Sequence, residues 1–255
     1  MTRIYNITQY TNDDSVYVLF EGCNFQCKGC IRKLMKYDPH LSVDTKNHLE
    51  TTVNSEHLSL DEFEKIASRL GVKKATLGGG EPTLDPELPD IVDILESLSI
   101  KTLLLTNGHC LDRKLIVELE EAGLSGAQIS IKAIDEAIHR LYTGQTNRQV
   151  LENFRGLAKT SIKLIAESIL IPGLVEADEI ERIAEFISTV NPAIPYRIDV
   201  FVPVGGASWR QPMTKELVEA VQTAKKHLLI VTYLSYEEGH GMTESINVYP
   251  QIKDL

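Results

Sequence analysis

No run in the 255-residue chain stays apolar for the ~18–20 residues that a membrane span needs. Met1-Thr2-Arg3-Ile4-Tyr5 likewise lacks the apolar centre of a secretory signal, so a cytoplasmic location is expected. Positive charge is also short, with 26 Lys and Arg against 36 Asp and Glu and a net charge of −10. Nucleic-acid binders usually carry an excess of cations, so a nucleic-acid partner is disfavoured, although Arg32, Lys33 and Lys36 could form a local basic patch. No low-complexity tract or interdomain linker divides the chain, which reads as a single domain over residues 1–255. Cysteine is scarce, but three of the four fall within residues 23–30. In a reducing compartment such clustering favours metal binding or redox chemistry over disulfides.

What is present is alternation. Val16–Phe20 reads as a strand. Ser59-Leu60-Asp61-Glu62 is a capping box that opens a helix to about Leu70. Strands are expected at Lys74–Leu77, Lys101–Leu105, Ala127–Ala133, Leu164–Ile171, Arg197–Val202 and Leu229–Leu234. Helices are expected at Pro86–Leu98, Leu111–Ala122, Ile134–Lys159 with a break at Thr143-Gly144, Ala177–Val190 and Lys215–His227. Strand–helix repetition of this kind builds a parallel sheet, either open and doubly wound or curved into a partial barrel. In both, ligands sit at the carboxyl ends of the strands. Residues 35–58 are polar and without clear period, and read as an inserted loop beside the cysteines that could serve as a lid.

Gly22-Cys23-Asn24-Phe25-Gln26-Cys27-Lys28-Gly29-Cys30 follows directly on the first strand. Three thiolates at C-x3-C-x2-C spacing on a loop can wrap one corner of an iron–sulfur cubane, which normally takes four cysteine ligands; three leave one iron open. The residues alone leave other readings in place. His40 or His48 could complete a zinc site, Cys110 could complete an electron-transfer cluster, and the chain would then be a non-catalytic binding module.

A second motif, Leu77-Gly78-Gly79-Gly80-Glu81-Pro82, ends the strand begun at Lys74. With both motifs in this order, the chain resembles the radical S-adenosylmethionine superfamily. That resemblance implies an α/β fold, a partial (β/α)6 TIM-like barrel with parallel strands. It implies a [4Fe-4S] cluster on Cys23, Cys27 and Cys30, with S-adenosylmethionine chelating the open iron through its amino and carboxylate groups. Gly78, Gly79, Gly80 and Glu81 would hold the amino group, and Asn24, Phe25 and Gly29 would lie against the cofactor. One electron from a ferredoxin or flavodoxin would cleave the C5′–S bond, and the 5′-deoxyadenosyl radical would abstract hydrogen from substrate.

Thr106-Asn107-Gly108, Ser130-Ile131-Lys132 and Ile171-Pro172-Gly173 resemble motifs of the glycyl-radical-enzyme activases, of which the pyruvate formate-lyase activating enzyme is one. The likeness implies cofactor contacts at Asn107, Ser130, Lys132, Ile171 and Gly173, and a glycine of a partner enzyme as substrate. The chain departs from that pattern at Gly29, where an aromatic is common, and near Pro203, where a histidine is expected. It has no second cysteine cluster.

Charge within the strands points to a lumen. Gln128, Ser130 and Lys132 share one strand face, Glu167 lies on the next strand, and Arg197 and Asp199 share a face of the one after. Buried unpaired charge is costly, so these groups must form a network from Lys132 through Glu167 to Arg197 or face an aqueous cavity. In the second case they would hold the cofactor and a small polar metabolite or peptide. Trp209-Arg210 could close over such a substrate as an aromatic–cation pair or anchor its loop.

Overall fold

A computed structural model describes residues 1–38, 40–52, 57–204, 206–234 and 244–250. The strands are β1 (Ile4–Tyr10), β2 (Ser15–Phe20), β3 (Lys74–Gly79), β4 (Lys101–Thr106), β5 (Gly126–Ser130), β6 (Lys163–Leu170), β7 (Tyr196–Val200), β8 (Val231–Leu234) and β9 (Ser245–Tyr249). They form one sheet in the order β8-β7-β6-β5-β4-β3-β2-β1-β9. From β2 to β8 each strand pairs in parallel with the next. β1 runs antiparallel to β2, and β9 antiparallel to β1. The sheet ends at β8 and β9 and is therefore not closed.

Helices α1 (Val43–Thr52) and α2 (Leu60–Leu70) lie between β2 and β3. They are followed by α3 (Leu88–Ser97), α4 (Arg113–Glu121), α5 (Glu136–Thr143), α6 (Arg148–Leu157), α7 (Ala177–Val190) and α8 (Thr214–Ala224). Their limits have local causes. Ser59 and Glu62 complete the capping box of α2, which stops at Gly71 in the left-handed region. Asp112 and Asp135 cap α4 and α5 through their side chains. The break expected at Thr143-Gly144 is real, because Gly144 at φ +79° ends α5 before α6 begins.

Strand alternation separates two environments. Ala75, Leu77, Leu104, Ala127, Ile129, Ala166 and Ile198 pack into the main core with Phe63, Ile91, Ile116, Phe154 and Ile183 from the helices. Each such large apolar side chain contributes roughly 1.5–3 kcal/mol by leaving water. The alternate positions Gln128, Ser130, Glu167, Ile169, Arg197 and Asp199 face a cavity instead. This is why β5 to β7 do not read as the continuous apolar runs of a sheet covered on both faces.

Two expectations change. Residues 35–58 are not only a loop. They contain α1, whose Leu49 is buried with Tyr5, Leu19, Tyr37 and Leu41, and the Tyr37 hydroxyl donates to the Leu49 carbonyl at 3.2 Å. Residues 39 and 53–56 of that stretch lie outside the described residues. Strand β1, which lies between β2 and β9, and the edge strand β9 add to the expected set. β1 buries Asn6 and Thr8, which satisfy each other and reach Asn247 and the Tyr249 carbonyl, so polar residues occupy positions where an apolar alternation would announce a strand.

Candidate active site

The carboxyl ends of β2 to β7 surround a cavity of about 690 Å³. Cys23, Cys27 and Cys30 are on its wall. So are Phe25, Gly29, Gly79, Gly80, Glu81, Asn107, Ser130 and Lys132.

The cysteine loop is fastened on two sides. Against α5, the Gln26 and Lys28 amides donate to the Thr143 and Tyr142 carbonyls at 2.8 and 2.9 Å. Against β3, the Gly80 amide donates to the Phe20 carbonyl and the Glu81 amide to the Gly22 carbonyl, both at 2.8 Å. The second fastening needs a glycine, since a Cβ on Gly80 would stand 2.1 Å from the Gly22 carbonyl oxygen. Gly29 is constrained similarly, because the space of its missing Cβ is taken by the Phe201 ring at 2.4 Å and the Tyr142 hydroxyl at 3.0 Å.

Cys23 is exposed, while Cys27 and Cys30 are half-buried. Cys23 Sγ accepts from the Phe25 amide at 3.4 Å and from Asn107 Nδ2 at 3.8 Å. Asn107 Nδ2 also donates to Asn24 Oδ1 at 2.7 Å, and Asn24 Nδ2 donates to Cys110 Sγ at 3.4 Å. Burial pushes the Cys23 thiol up, and pushes Cys27 up to about 11 against the lowering effect of the Lys132 ammonium. Bare, these groups are thiols. Metal ligation would displace their protons, and the N–H donors and Lys132 would stabilise the thiolates formed.

Glu81 is the hub of the β3–β4 corner. One carboxylate oxygen accepts from the Thr83 amide at 3.1 Å and from the Thr83 and Thr106 hydroxyls at 2.6 Å each; the other accepts from the Asn107 amide at 2.7 Å. Burial raises its proton affinity while these donors oppose the rise. These bonds fix Asn107 and the strand ends, and Glu81 itself lies on the cavity wall.

The opposite wall carries the strand charges. Lys132 Nζ lies 3.6 Å from Glu167, which also accepts from the Ser130 hydroxyl. Arg197 does not join Glu167. It forms a two-point pair with Asp199 on its own strand, at 2.7 Å for both contacts. Glu167 and nearby anions raise Lys132 against the lowering effect of burial. Burial and then Glu167 push Asp199 up to about 6. Network and lumen therefore coexist, since all four groups line the cavity.

Other expected residues stand elsewhere. Asn24 and Gly78 sit behind the cavity wall, Gly78 against the Tyr17 ring. Ile171 is buried in the core and bridged to Val175, and Gly173 is exposed with its amide on Glu176. Neither lines the cavity; Ile169, two residues earlier on the Glu167 face of β6, does. Trp209 packs on Tyr142 and Phe201, and Arg210 pairs with Glu216 at the start of α8, so this segment is an anchor in the structure. His40 is held by Asp38 at 3.0 Å, and His48 lies on α1. Sequence reasoning missed Tyr17, Tyr142, Ile169 and Phe201 on the cavity wall. Only Ile169 carried a signal, its two-residue spacing from Glu167.

The profile of the radical SAM superfamily matches residues 17–187, more than half of the chain. A Methanocaldococcus jannaschii protein named as a glycyl-radical enzyme activating enzyme is 31% identical over 227 residues, covering 87% of this chain and 81% of that one. A Pyrococcus abyssi protein named as a GTP 3′,8-cyclase is 30% identical over 186 residues, 72% of this chain but only 56% of that longer protein. In fold, the chain is similar to the Streptococcus suis protein SuiB crystallised with S-adenosylmethionine, with a TM-score of 0.63 and 16% identity over 84% of this chain and 48% of that one. The profile match and the first of these relatives carry the conclusion that this chain belongs to the radical SAM superfamily, whose enzymes perform radical chemistry with a [4Fe-4S] cluster and S-adenosylmethionine.

Proposed function

We propose that the chain is an activating enzyme that removes a hydrogen atom from a glycine of a partner enzyme. Cys23, Cys27 and Cys30 would be the cluster ligands. The observation that carries the reading is the convergence of the three thiols, the Gly-Gly-Glu end of β3 and the charged wall of β5 to β7 on one cavity. The relative of similar length named as an activating enzyme supports this subgroup.

The residues present suit the group. Thiols are the donors an iron–sulfur cluster takes, and three of them leave a coordination place free. Two N–H donors already point at Cys23 Sγ. Bound here, the cluster and S-adenosylmethionine supply one-electron cleavage of the C5′–S bond and the radical that attacks a C–H bond.

The chain's own residues set the geometry. Gly79 and Gly80 bring backbone to the cavity wall without side chains in the way. Glu81 fixes Asn107, which steadies Cys23. Lys132 offers a cation to a carboxylate, and Ser130 and Glu167 offer polar contacts beside it. Phe25, Ile169 and Phe201 line the space between the walls with apolar surface.

A small polar substrate is the second reading, favoured by the Arg197–Asp199 pair in the lumen. The test is incubation of anaerobically loaded, reduced protein with S-adenosylmethionine and the glycyl-radical enzyme encoded beside it, if there is one. A glycine-centred radical signal in the partner is the expected result. Deuterium transfer from a labelled metabolite into 5′-deoxyadenosine, with no radical in the partner, would replace the activase reading.

A further inference from the structure

Neither Cys110 nor Asn24 lines the cavity, yet both are joined to Cys23 through Asn107. The loop after β4, which carries Asn107 and Cys110, is held from behind. Asn153 Nδ2 donates to the Gly108 and His109 carbonyls at 2.8 and 3.1 Å. Gly108 turns there at φ +74°, with the Ile129 side chain 2.9 Å from where a Cβ would stand.

On this support each side-chain amide is oriented by the one before it. The His109 amide donates to Asn107 Oδ1 at 2.9 Å, which turns Asn107 Nδ2 toward the cysteine loop. That nitrogen can only donate, so Asn24 must present its oxygen, and it does so at 2.7 Å. Asn24 Nδ2 is thereby turned the other way, where Cys110 Sγ accepts from it at 3.4 Å, its one acceptor among the described residues.

The orientation decides what Cys23 meets. Asn107 Nδ2 is shared, with its short bond to Asn24 Oδ1 and a long one of 3.8 Å to Cys23 Sγ. Asn24 Oδ1 stands 3.9 Å from the same sulfur. Metal ligation removes the Cys23 proton, and the oxygen then faces an anionic sulfur with no hydrogen between them. Loss of the Cys110 acceptor would release the Asn24 amide. If it swings away, Asn107 Nδ2 keeps Cys23 Sγ as its acceptor; if it turns over, an N–H takes the oxygen's place. In both cases donation to the sulfur grows, which favours the reduced, more negative state of an iron–sulfur group.

We propose that Cys110 is a positioning residue that holds the Asn24 oxygen toward Cys23 and so keeps the reduction potential of the iron–sulfur group low. The proposal rests on the reading of Cys23, Cys27 and Cys30 given above. A low potential is what passing an electron to a sulfonium demands. Cys110 acts here without touching substrate or cofactor.

The test is a potentiometric titration, read by electron paramagnetic resonance, on proteins loaded anaerobically and matched for iron. Cys110→Ala should favour the reduced state about threefold or more, a rise of ~28 mV at ~59 mV per tenfold for one electron. Cys110→Ser keeps an acceptor and should stay near the wild-type potential. In an Asn24→Ala background, Cys110→Ala should add no shift, since the amide it acts through is gone. In the bare proteins, nuclear magnetic resonance should show the Asn24 side-chain amide protons exchanging faster in Cys110→Ala than in wild type or Cys110→Ser. An unchanged or lower potential in Cys110→Ala, an equal rise in Cys110→Ser, a full shift without Asn24, or amide protons that exchange alike in all would each overturn the proposal. If the proteins load four irons and these expectations fail, the positioning role alone is wrong. If the wild type loads no four-iron group, the reading of the cysteines falls and this proposal with it.

Discussion

Replacing Gly80 by Ala tests how the cysteine loop is held. Gly80 is not in the left-handed region, so its requirement is one of space. The added Cβ would stand 2.1 Å from the Gly22 carbonyl oxygen and 2.8 Å from that of Phe20, both backbone atoms. To restore a close C···O contact of ~3.3 Å, the Gly22 carbonyl must withdraw by about 1 Å. That movement breaks the Glu81 amide bond to Gly22 and strains the Gly80 amide bond to Phe20. Each is worth about 1 kcal/mol net, and forced overpacking adds about 1–3 kcal/mol. A loss of about 3 kcal/mol corresponds to a fall in Tm of about 6–12 °C at this chain length. Gly71→Ala is the control. It has open space but φ +62°, and should cost only ~1–2 kcal/mol of left-handed strain. Thermal unfolding of the three proteins, with iron uptake measured on each, decides the matter. The expected result is G80A well below G71A in Tm and impaired in iron uptake. G80A melting at or above G71A would show that the β3 end does not clamp the loop.

Lys132→Met leaves Glu167, 4% exposed, without its cation, and should cost about 3–5 kcal/mol, whereas adding Glu167→Gln should recover most of the loss. Urea midpoints check this, and a single variant no less stable than the double would contradict the pairing. Burial holds His139 well below the ordinary imidazole value of 6.5, at about 4, so the unfolded chain binds more protons between those values. The stability this group confers is complete above pH 6.5 and declines as pH falls toward 4. Acidification over that range should therefore lower the Tm of the wild type more than that of His139→Phe. The reverse order would refute the assignment, even though Asp199 and Glu81, both raised, pull the other way in both proteins.

The parallel sheet was legible because its strands and helices differ sharply in period and because some helix limits carry signals such as Ser59 and Gly144. The lumen was legible from charge at alternate strand positions, Lys132, Glu167 and Asp199 among them. Partner choice within the lumen was not. Arg197 lies opposite Glu167 in register yet pairs with Asp199, two residues along its own strand, because a guanidinium meets a carboxylate there at two points. Strand β1 was hidden because Asn6 and Thr8 are buried through hydrogen bonds and not through apolarity. The helix α1 was hidden because its sequence is polar nearly throughout, with Leu49 the one buried side chain among its described residues. Tyr142 and Phe201 reach the cavity through tertiary packing around Gly29, which no local pattern announces.

The most direct test is Mössbauer spectroscopy of protein loaded anaerobically with 57Fe, before and after S-adenosylmethionine is added. With Cys23, Cys27 and Cys30 as the only protein ligands, one iron in four should be distinct and should shift alone when the small molecule binds, and Cys27→Ala should lose the cluster signal. Four irons that ignore S-adenosylmethionine, or a cluster that survives Cys27→Ala unchanged, would contradict the account.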